Sequence, residues 1–547
     1  MNILRKICLN GPIYSIGGAA LIIAVAGVAS RLLGFLRDRI LAAQFGAGDT
    51  LDAYYAAFRI PDLLYSLLVL GALSAAFIPV FTELYVQKKE REAWELSGNV
   101  LHLLVFSLGV ASLLAAIFMH PLTNILVPGF SPEKKALAEQ FTRIMLLSPI
   151  LLGISAVFGG VLVSLKRFVL YSIAPIFYNL GIIFGAVFLV GFMGPSGLAW
   201  GVVLGAFLHA AIQYIDLRAS GFHYRFTLAG IWRNAAVRKV VTLMIPRSLG
   251  MAINQISFLV VTVFASTLMS GSLSVFTLAN NIQSVPLGLF GIAFSLAVFP
   301  SLSALAAKKS DEEFFALFAT TFRRILFFVL PLSVIMIVLR AQIVRVILGS
   351  GQFDWHDTIA TFGVLGILSA SLFAQSLIPL LARAFFALQN TKTPLYIALV
   401  SEAFHIALVF FLMDRYQING LAMAFSIATV INMLLLYVFL RRNFRSWNDS
   451  DIFSPSMKIV IASLAAGIMA QLTKSAFGFN DNELDTFVAI FIQLIVTSGV
   501  GVSVFIALSW WMRIEEFERV KTFFMRRIFG QPQNLVEAED ELDRGGL

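Results

Sequence analysis

Long apolar runs recur along the whole chain, and they restrict its fold more than any other feature. Each run has roughly the twenty residues that an α-helix needs to cross a bilayer. Only 13% of the 547 residues are charged, and the mean hydropathy is +0.86. The sequence therefore predicts an all-α polytopic membrane protein with fourteen transmembrane helices, near 19–45, 53–86, 97–119, 138–165, 173–194, 197–217, 240–269, 273–306, 320–347, 358–388, 394–413, 419–441, 457–476 and 486–512.

Positive charge lies mainly on alternate loops between these runs. The intervening loops 46–50, 193–196 and 270–272 carry no Lys or Arg, although Lys134, Lys135 and Arg415 fall on that side. Because positively charged loops stay in the cytoplasm, we expect both termini to be cytoplasmic. The same clustering accounts for the net charge of +9 without nucleic-acid binding, which we do not expect. The positive loops contain Lys88, Lys89, Arg91, Lys166, Arg167, residues 218–239, Lys308, Lys309, Lys392 and residues 441–445.

An internal duplication recurs at a nearly constant spacing. Arg31 and Gly34 reappear in the second half of the chain as Arg247 and Gly250. At almost the same spacing, Gly197-Leu-Ala199 reappears as Gly420-Leu-Ala422, and Pro79 reappears as Pro300. Six helices per repeat make an even number of crossings, so the repeats are parallel and related by a pseudo-two-fold axis along the membrane normal. This predicts two six-helix lobes around a central cavity.

The domain organisation follows from this repeat. Residues 218–239 are too polar to span and are typical of an interfacial segment, whereas the C-terminal tail is first amphipathic and then acidic. We therefore expect an N-lobe at 1–217, a cytoplasmic linker at 218–239, a C-lobe at 240–441, two further transmembrane helices within 457–512, and a cytoplasmic tail at 513–547.

Arg31 lies near the middle of the first apolar run, where a charge is costly unless it faces a polar cavity or a partner. Gly27, Arg31, Gly34 and Asp38 form one helical stripe, in which the glycines would allow close backbone approach. Two interpretations stay open. Arg31 and Asp38 could be a structural ion pair that fixes this helix to a neighbour, or the stripe could face an anion, since Arg37 and Arg39 add two more cations.

Arginine suits phosphate because its planar fork bonds two oxygens at once. We therefore expect Arg31, Arg37 and Arg59 to bind a diphosphate, although Arg59 could instead extend to the outer interface. Asp52 is either the N-cap of the second helix or an ion-pair partner of Arg39 or Arg59 that helps to close the cavity. Together with Asp38, these groups would form gating ion pairs.

In the second lobe, Arg247 is a candidate cation and Asn254 a candidate ion ligand. Glu402 and His405 lie three residues apart on one helix face and could form a proton or cation site, or a structural hydrogen-bonded pair. The single cysteine, Cys8, excludes an internal disulfide, and no metal-ligand spacing is visible. No Gly-rich phosphate loop or catalytic grouping stands out, so we expect neither an enzyme nor a cofactor, and coupling to Na⁺, H⁺ or the membrane potential instead.

Several ordered motifs resemble the MurJ (MviN) lipid II flippase family of the multidrug/oligosaccharidyl-lipid/polysaccharide exporter superfamily. The resemblance covers nearly the whole chain and is most specific towards its N-terminus. It rests on Ser30-Arg-Leu-Leu-Gly-Phe-Leu-Arg-Asp38, Phe45-Gly-Ala-Gly48, Asp52-Ala53, Phe58-Arg-Ile-Pro-Asp-Leu-Leu64, Gly71-Ala-Leu-Ser-Ala-Ala-Phe-Ile-Pro79, Val127-Pro-Gly-Phe130, Phe299-Pro-Ser-Leu302, Gly351-Gln-Phe353 and Ala384-Phe-Phe-Ala-Leu-Gln-Asn-Thr-Lys-Thr-Pro394.

The resemblance implies twelve core helices in two lobes, plus two C-terminal helices that form a groove for a lipid tail. It also implies a protein of the bacterial cytoplasmic membrane that moves an undecaprenyl-diphosphate-linked peptidoglycan precursor, lipid II, to the outer leaflet by alternating access. The family's functional arginines match Arg31 and Arg37, and its carboxylates match Asp38 and Asp52. We expect a monomer among membrane lipids, with cell-wall synthesis proteins as further partners.

The chain departs from the family pattern at cavity positions. Tyr65 and Asn281 stand where the family commonly has arginines, and His405 replaces an asparagine pattern. Arg59 or Arg247 would then supply the missing charge. The alternatives are a flippase or exporter of another polyprenyl-linked glycan, an exporter of organic cations, and a non-transporting scaffold for wall-synthesis proteins. Export of organic cations fits poorly, because a cavity lined by arginines would repel them.

Overall fold

The computed structural model of the chain describes residues 16–70, 77–222, 235–444, 447–477 and 486–528. Within these ranges only the backbone is described for residues 16–21, 70, 235–236, 243–254, 477 and 523–528. Every regular element in these ranges is helical, which confirms the predicted all-α class. The α-helices are α1 (Ile16–Phe45), α2 (Asp49–Ala57), α3 (Arg59–Tyr65), α4 (Ile78–Val86), α5 (Glu90–Ile117), α6 (Met119–Leu126), α7 (Pro132–Met145), α8 (Leu147–Ser164), α9 (Val169–Phe184), α10 (Val190–Met193), α11 (Ser196–Ala219), α12 (Ala235–Ser266), α13 (Ser272–Pro286), α14 (Ala293–Lys308), α15 (Asp311–Val338), α16 (Arg340–Leu348), α17 (Trp355–Ala370), α18 (Leu372–Ala387), α19 (Lys392–Arg441), α20 (Ser450–Phe477), α21 (Phe487–Trp511) and α22 (Glu515–Ile528). Three π-helical segments, Ser66–Leu70, Gly185–Leu189 and Leu287–Ile292, interrupt them.

The described helices make this chain a polytopic membrane protein, as predicted. Within the described ranges, nine helices are long and apolar enough to cross a membrane, and the pair α17 and α18, bent by 45°, adds a tenth if it forms one span. The 50-residue α19 covers two predicted runs, because Gln417 adopts φ 51° and ψ −130° and breaks the helix between them. The total of fourteen spans stays a prediction.

The chain divides into two compact units. One comprises Met1–Ser274 with Leu348–Asp357, and the other comprises Val275–Ile347 with Thr358–Leu547. Helix α12, which the sequence assigns to the C-lobe, therefore packs within the first unit. The predicted lobe boundaries describe the repeat in the sequence, and they stay a prediction.

The duplication recurs in the backbone of the two units. The π-helical segments Ser66–Leu70 and Leu287–Ile292 begin at the same offset that separates Pro79 from Pro300. Residues with positive φ at helix ends also recur in pairs at this offset or within a few positions of it. These pairs are Lys88 with Lys309, Lys166 with Gln389, and Gly194 with Gln417. The two repeats therefore share local geometry as well as sequence motifs.

The second predicted run, 53–86, is not one continuous helix. Helix α2 ends at Ala57, and α3 begins at Arg59 and is followed by a π-helical segment. Pro61 explains the interruption, because proline has no N–H to donate to the carbonyl of Ala57, four residues earlier. The break isolates α3, a seven-residue segment that carries Arg59 and Asp62 inside this predicted run.

Glycines bring α9 and α11 into close contact in the first unit. A Cβ atom on Gly181 would clash with the backbone of Gly205, and one on Gly185 would clash with Gly201. Both pairs repeat with a spacing of four residues, so small residues face one another along both helices. This packing fixes α9, which presents Asn179 and Tyr178 to the candidate site.

The C-terminal helix α22 docks on the second unit through a buried cation. Arg323 on α15 donates from Nε to Glu516 at 2.6 Å and from Nη2 to Glu515 at 2.9 Å. The side chain of Glu516 is 3% exposed. Burial alone would raise the pKa of Glu515, but its hydrogen bond from Arg519 and the surrounding arginine charges lower it. Helix α22 lies in the amphipathic first part of the tail predicted at 513–547.

Candidate functional site

The glycine stripe of α1 does not serve the purpose that the sequence suggested. A Cβ atom added to Gly27 or Gly34 would meet no described atom within 4 Å. These glycines therefore face open space among the described residues rather than a tightly packed helix, which corrects the predicted close approach. Arg31, between them on the same face, is half-buried and engaged with its surroundings.

Arg37 is bound by an acid and an amide. Its Nε and Nη2 atoms donate to Oδ1 of Asp38 at 2.9 and 2.7 Å, and Nη1 donates to Oδ1 of Asn179 at 3.1 Å. The Asn179 amide in turn donates to the backbone carbonyls of Ser30 and Pro175. The sequence left an ion pair between Arg31 and Asp38 as one of two interpretations, and the structure shows an ion pair of Asp38 with its neighbour Arg37. Arg37 is consequently held in place and partly neutralised by groups of the chain itself.

Asp52 is ion-paired, but with neither predicted partner, and it does not cap its own helix. Its own helix already begins at Asp49, so it is not the N-cap, and its cationic partner is neither Arg39 nor Arg59. The carboxylate accepts from Nζ of Lys134 at 2.7 Å, from the backbone N–H groups of Gly271 and Ser274 at 2.8 Å, and from Oγ of Ser274 at 2.7 Å. It therefore caps the start of another helix, α13, which ties two loops of the first unit together.

Lys134 was an exception to the charge pattern of the loops, and its burial explains why. Its Nζ lies 2.7 Å from Asp49 and 2.7 Å from Asp52, and 4.1 Å from the ring centre of Phe130. The hydrogen bonds from Lys134 and Ser270 lower the pKa of Asp49. We call Asp49, Asp52, Lys134, Ser270, Gly271 and Ser274 the Asp52 cluster.

The loops around the Asp52 cluster approach one another closely. Gly271, at φ +87°, leaves no room for a Cβ atom against the carbonyl of Ala47. The backbone N–H of Gln352 donates to the Ala43 carbonyl at 2.9 Å, and that of Ala47 donates to Oδ2 of Asp357 at 2.9 Å. The predicted outward ends of the first unit are thus held together by ionic, backbone and steric contacts.

Arg59 points to α12. Its Nε donates to Oγ1 of Thr262 at 2.8 Å, and its guanidinium carbon lies 5.4 Å from the ring centre of Phe258. About two helical turns after Arg59, Oγ of Ser66 accepts a hydrogen bond at 2.8 Å from Nε2 of Gln255 on α12. Among the described residues no carboxylate lies within ion-pair distance of this guanidinium, so Arg59 keeps more of its positive charge available than Arg37 does.

Asp62 is an ionisable residue of this region that we did not single out from the sequence. It lies one turn after Arg59 on α3 and is half-buried. Its backbone carbonyl accepts from Ser66, but its carboxylate has no hydrogen-bond donor among the described residues. The signal was present in the sequence, since a carboxylate inside an apolar run is rarely without a function.

The predicted pair in the second unit is present. Nδ1 of His405 lies 2.9 Å from Oε1 of Glu402, and the imidazole packs edge-on against Phe425. His405 is 1% exposed, and its Nε2 atom has no hydrogen-bond partner among the described residues. The side chains of Arg247 and Asn254 lie outside the described residues. Arg39, Tyr65 and Asn281 are half-buried.

Comparison with known proteins assigns the chain to a family. The family model described as "Lipid II flippase MurJ" matches residues 41–496. The chain belongs to the MurJ family. The probable lipid II flippases MurJ of Bdellovibrio bacteriovorus and Thermotoga maritima are both 30% identical to it, the first over 92% of this chain and 96% of the relative, the second over 90% and 95%.

Solved structures agree on the fold. A structure titled lipid II flippase MurJ in an inward closed conformation matches with a TM-score of 0.72 at 24% identity, covering 93% of this chain and all of the other. An inward-facing MATE multidrug transporter matches with a TM-score of 0.59 at 17% identity, covering 76% of this chain and 94% of the other. MurJ proteins are flippases rather than a family of enzymes, and the family together with the apolar helices indicates a protein of the bacterial inner membrane.

Proposed function

We propose that this MurJ protein translocates lipid II, an undecaprenyl-diphosphate-linked peptidoglycan precursor, from the cytoplasmic to the outer leaflet by alternating access. The observation that carries the proposal is the match of the MurJ family model over residues 41–496. Relatives named probable lipid II flippase MurJ support it over nearly their whole length. In this proposal the termini are cytoplasmic, the protein acts as a monomer among membrane lipids, and wall-synthesis proteins are its partners.

The arginines of the first unit supply the diphosphate site in this proposal. Arg31 and Arg59 contribute cations that attract the diphosphate, and Arg59 reaches it by leaving Thr262. Arg37 contributes less attraction, because Asp38 already offsets much of its charge. Its role is then to position the polar face of α1. Arginine remains charged at membrane depth, which suits a ligand that keeps its own negative charge.

The Asp52 cluster keeps the outward side closed until cargo is loaded. Release to the outer leaflet requires that the contacts of Asp52 with Lys134, Gly271 and Ser274 separate. These bonds are buried and charge-assisted, so their loss must be offset by binding energy from the cargo or by an ion gradient. Asp38, paired with Arg37 on α1, and Arg39 on the same helix are the further gating residues of this proposal.

The Glu402 and His405 pair supplies a coupling site for Na⁺ or H⁺ in the second unit. A buried imidazole nitrogen without a described partner favours a bound water, proton or ion next to it. Asn254 and Arg247 belong to the first unit and stay separate candidates from the sequence, the former as an ion ligand and the latter as a cation. Replacing His405 by Asn should then change the dependence of flipping on the ion gradient and leave lipid binding intact.

A second cargo, another polyprenyl-linked glycan, is favoured by one observation. Tyr65 and Asn281 stand where the resemblance to the family implies arginines. A cavity with fewer cations would bind a diphosphate less tightly and would tolerate other head groups. Competition between lipid II and a polyprenyl diphosphate bearing a neutral glycan separates the two cargoes.

The decisive experiment measures lipid II at the outer surface of cells depleted of their own flippase. The wild type should expose lipid II to an externally added lipid II-cleaving enzyme. Arg31→Ala and Arg59→Ala should lose most of this exposure, and Arg37→Ala should lose part of it. Arg91→Ala is the matched control, because this arginine is 82% exposed in a surface ion pair. Unchanged exposure with both Arg31→Ala and Arg59→Ala would refute the diphosphate site.

A further inference from the structure

Asp62 is a carboxylate at membrane depth that lacks a partner in the part of the chain that the structure describes. No described nitrogen or hydroxyl donates to its carboxylate oxygens, and no described cation lies within 4.0 Å of them. A buried or half-buried charge that serves only the fold is normally paired or hydrogen-bonded, because desolvation penalises it otherwise. The lack of a partner for Asp62 among the described residues therefore favours a ligand that completes it.

The nearest candidate cation on the same helix is turned elsewhere. Arg59 lies three residues before Asp62, a spacing at which opposite charges on a helix commonly pair. Its guanidinium instead bonds Thr262 and packs over Phe258, both on α12. Helix α3 thus presents one positive and one negative group that interact electrostatically but make no direct contact. A ligand with both charges matches this arrangement better than a purely anionic ligand does.

Two tyrosines lie near the carboxylate. The phenol groups of Tyr65, on the next turn of α3, and Tyr178, on α9, lie within electrostatic range of Asp62. Both tyrosines are half-buried, so their rings remain accessible. A carboxylate flanked by aromatic rings is suited to an ammonium group, which gains a charge-assisted hydrogen bond and cation–π contact together.

We propose that Asp62 binds a primary ammonium group on the head group of the transported lipid. The proposal rests on the proposed function and extends it. Arginines of the first unit hold the diphosphate, and Asp62 holds an amine at the other end of the same head group, such as the side-chain amine of a diamino acid in a peptide stem. Asp62 is then a specificity-determining residue that selects cargo with a free amine.

The test uses the purified full-length protein and two polyprenyl-diphosphate disaccharide-peptides that differ only in the stem amine, free in one and acetylated in the other. The wild type should bind the free amine about tenfold more tightly, an affinity ratio typical of one charge-assisted contact. Asp62→Asn should reduce this ratio to about one. Glu83→Gln is the matched control, because Glu83 lies in an exposed surface pair with Lys239 and should keep the full ratio.

A second ligand distinguishes a failed fold from a lost contact. Undecaprenyl diphosphate without a head group should bind the wild type and Asp62→Asn equally well, since it carries no amine. An equal affinity of the wild type for the two amine forms, or an unchanged preference in Asp62→Asn, would overturn the inference. A variant that changes only the pH dependence of transport, with amine preference intact, would assign Asp62 to proton binding instead. If the wild type binds none of these diphosphates, the proposed function itself is wrong.

Discussion

Removing the cation of the Asp52 cluster gives the sharpest test of how the first unit is held together. In the variant Lys134→Met the side chain keeps its length and apolar stem but loses the ammonium that contacts Asp49 and Asp52 at 2.7 Å each. Asp52, 1% exposed, then remains as a buried negative charge. We expect the free energy of unfolding to fall substantially.

The magnitude follows from the remaining contacts. Breaking a buried ion pair by deleting one partner costs about 3–5 kcal/mol. Asp52 would still accept from Gly271 and twice from Ser274, so we expect the lower end, about 3 kcal/mol, or roughly a hundredfold in the folding equilibrium. Asp49 adds little, because its side chain is 64% exposed. Adding Asp52→Asn to the lysine variant removes the stranded charge and should recover about 2 kcal/mol.

The assay is equilibrium unfolding of the purified protein in mixed micelles at neutral pH, followed by tryptophan fluorescence. Arg91→Met is the matched control, since its ion pair with Glu95 is exposed and its loss should change the free energy of unfolding by less than about 1 kcal/mol. A Lys134→Met variant that stays within about 1 kcal/mol of the wild type would refute the reasoning. So would a double variant that is less stable than the single one.

Three further predictions follow from neighbouring contacts. Gly271→Ala should destabilise the protein by about 2 kcal/mol or more beyond Gly221→Ala in the same unfolding assay, because both glycines have similar positive φ but only Gly271 meets backbone where a Cβ would lie. Because the pKa of Asp49 is lowered in the folded protein, its ion pair stabilises the fold above about pH 4, and this contribution is lost as the pH falls through the lowered folded pKa. The free energy of unfolding, measured from about pH 5 to pH 3, should therefore fall more steeply for the wild type than for Lys134→Met. Arg323→Met should release α22, leaving Glu516 buried without its cation, and should raise the rate of proteolysis near α22 severalfold, whereas an unchanged cleavage rate would contradict this role.

Much of the fold could be predicted because it depends on local pattern. Apolar runs of bilayer length define the helices, and motifs that recur at a nearly constant offset revealed the repeat that the backbone shares. The interruption at Pro61 was not predicted, although the proline is visible in the sequence. The helices were predicted from the hydropathy of long runs, and hydropathy does not change when one backbone hydrogen bond is missing. Gln417 shows the reverse case, in which two runs predicted as separate are joined by only one non-helical residue.

Side-chain partners were harder to predict because they depend on which distant segments approach one another. Asp52 bonds Lys134, 82 residues away, and loops 219 and 222 residues away, none of which is implied by helical spacing. The helix face offered Arg31 as one partner of Asp38, and the spacing did not reveal that the adjacent Arg37 pairs with it, which the long and flexible arginine side chain allows. Local pairs such as Glu402 and His405 were found because their three-residue spacing alone places them together.

The duplicated backbone carries different chemistry in its two copies. At the offset that relates the two π-helical segments, Arg59 and Asp62 correspond to Asn280 and Gln283, and each pair lies just before its segment. Gln283 is fully buried, and neither polar atom of its amide has a hydrogen-bond partner among the described residues. Irregular backbone at membrane depth persists only where protein or water satisfies its polar groups. The same interruption thus carries charges in the first unit and neutral amides in the second, and we therefore infer that recognition of a charged head group belongs to the first unit.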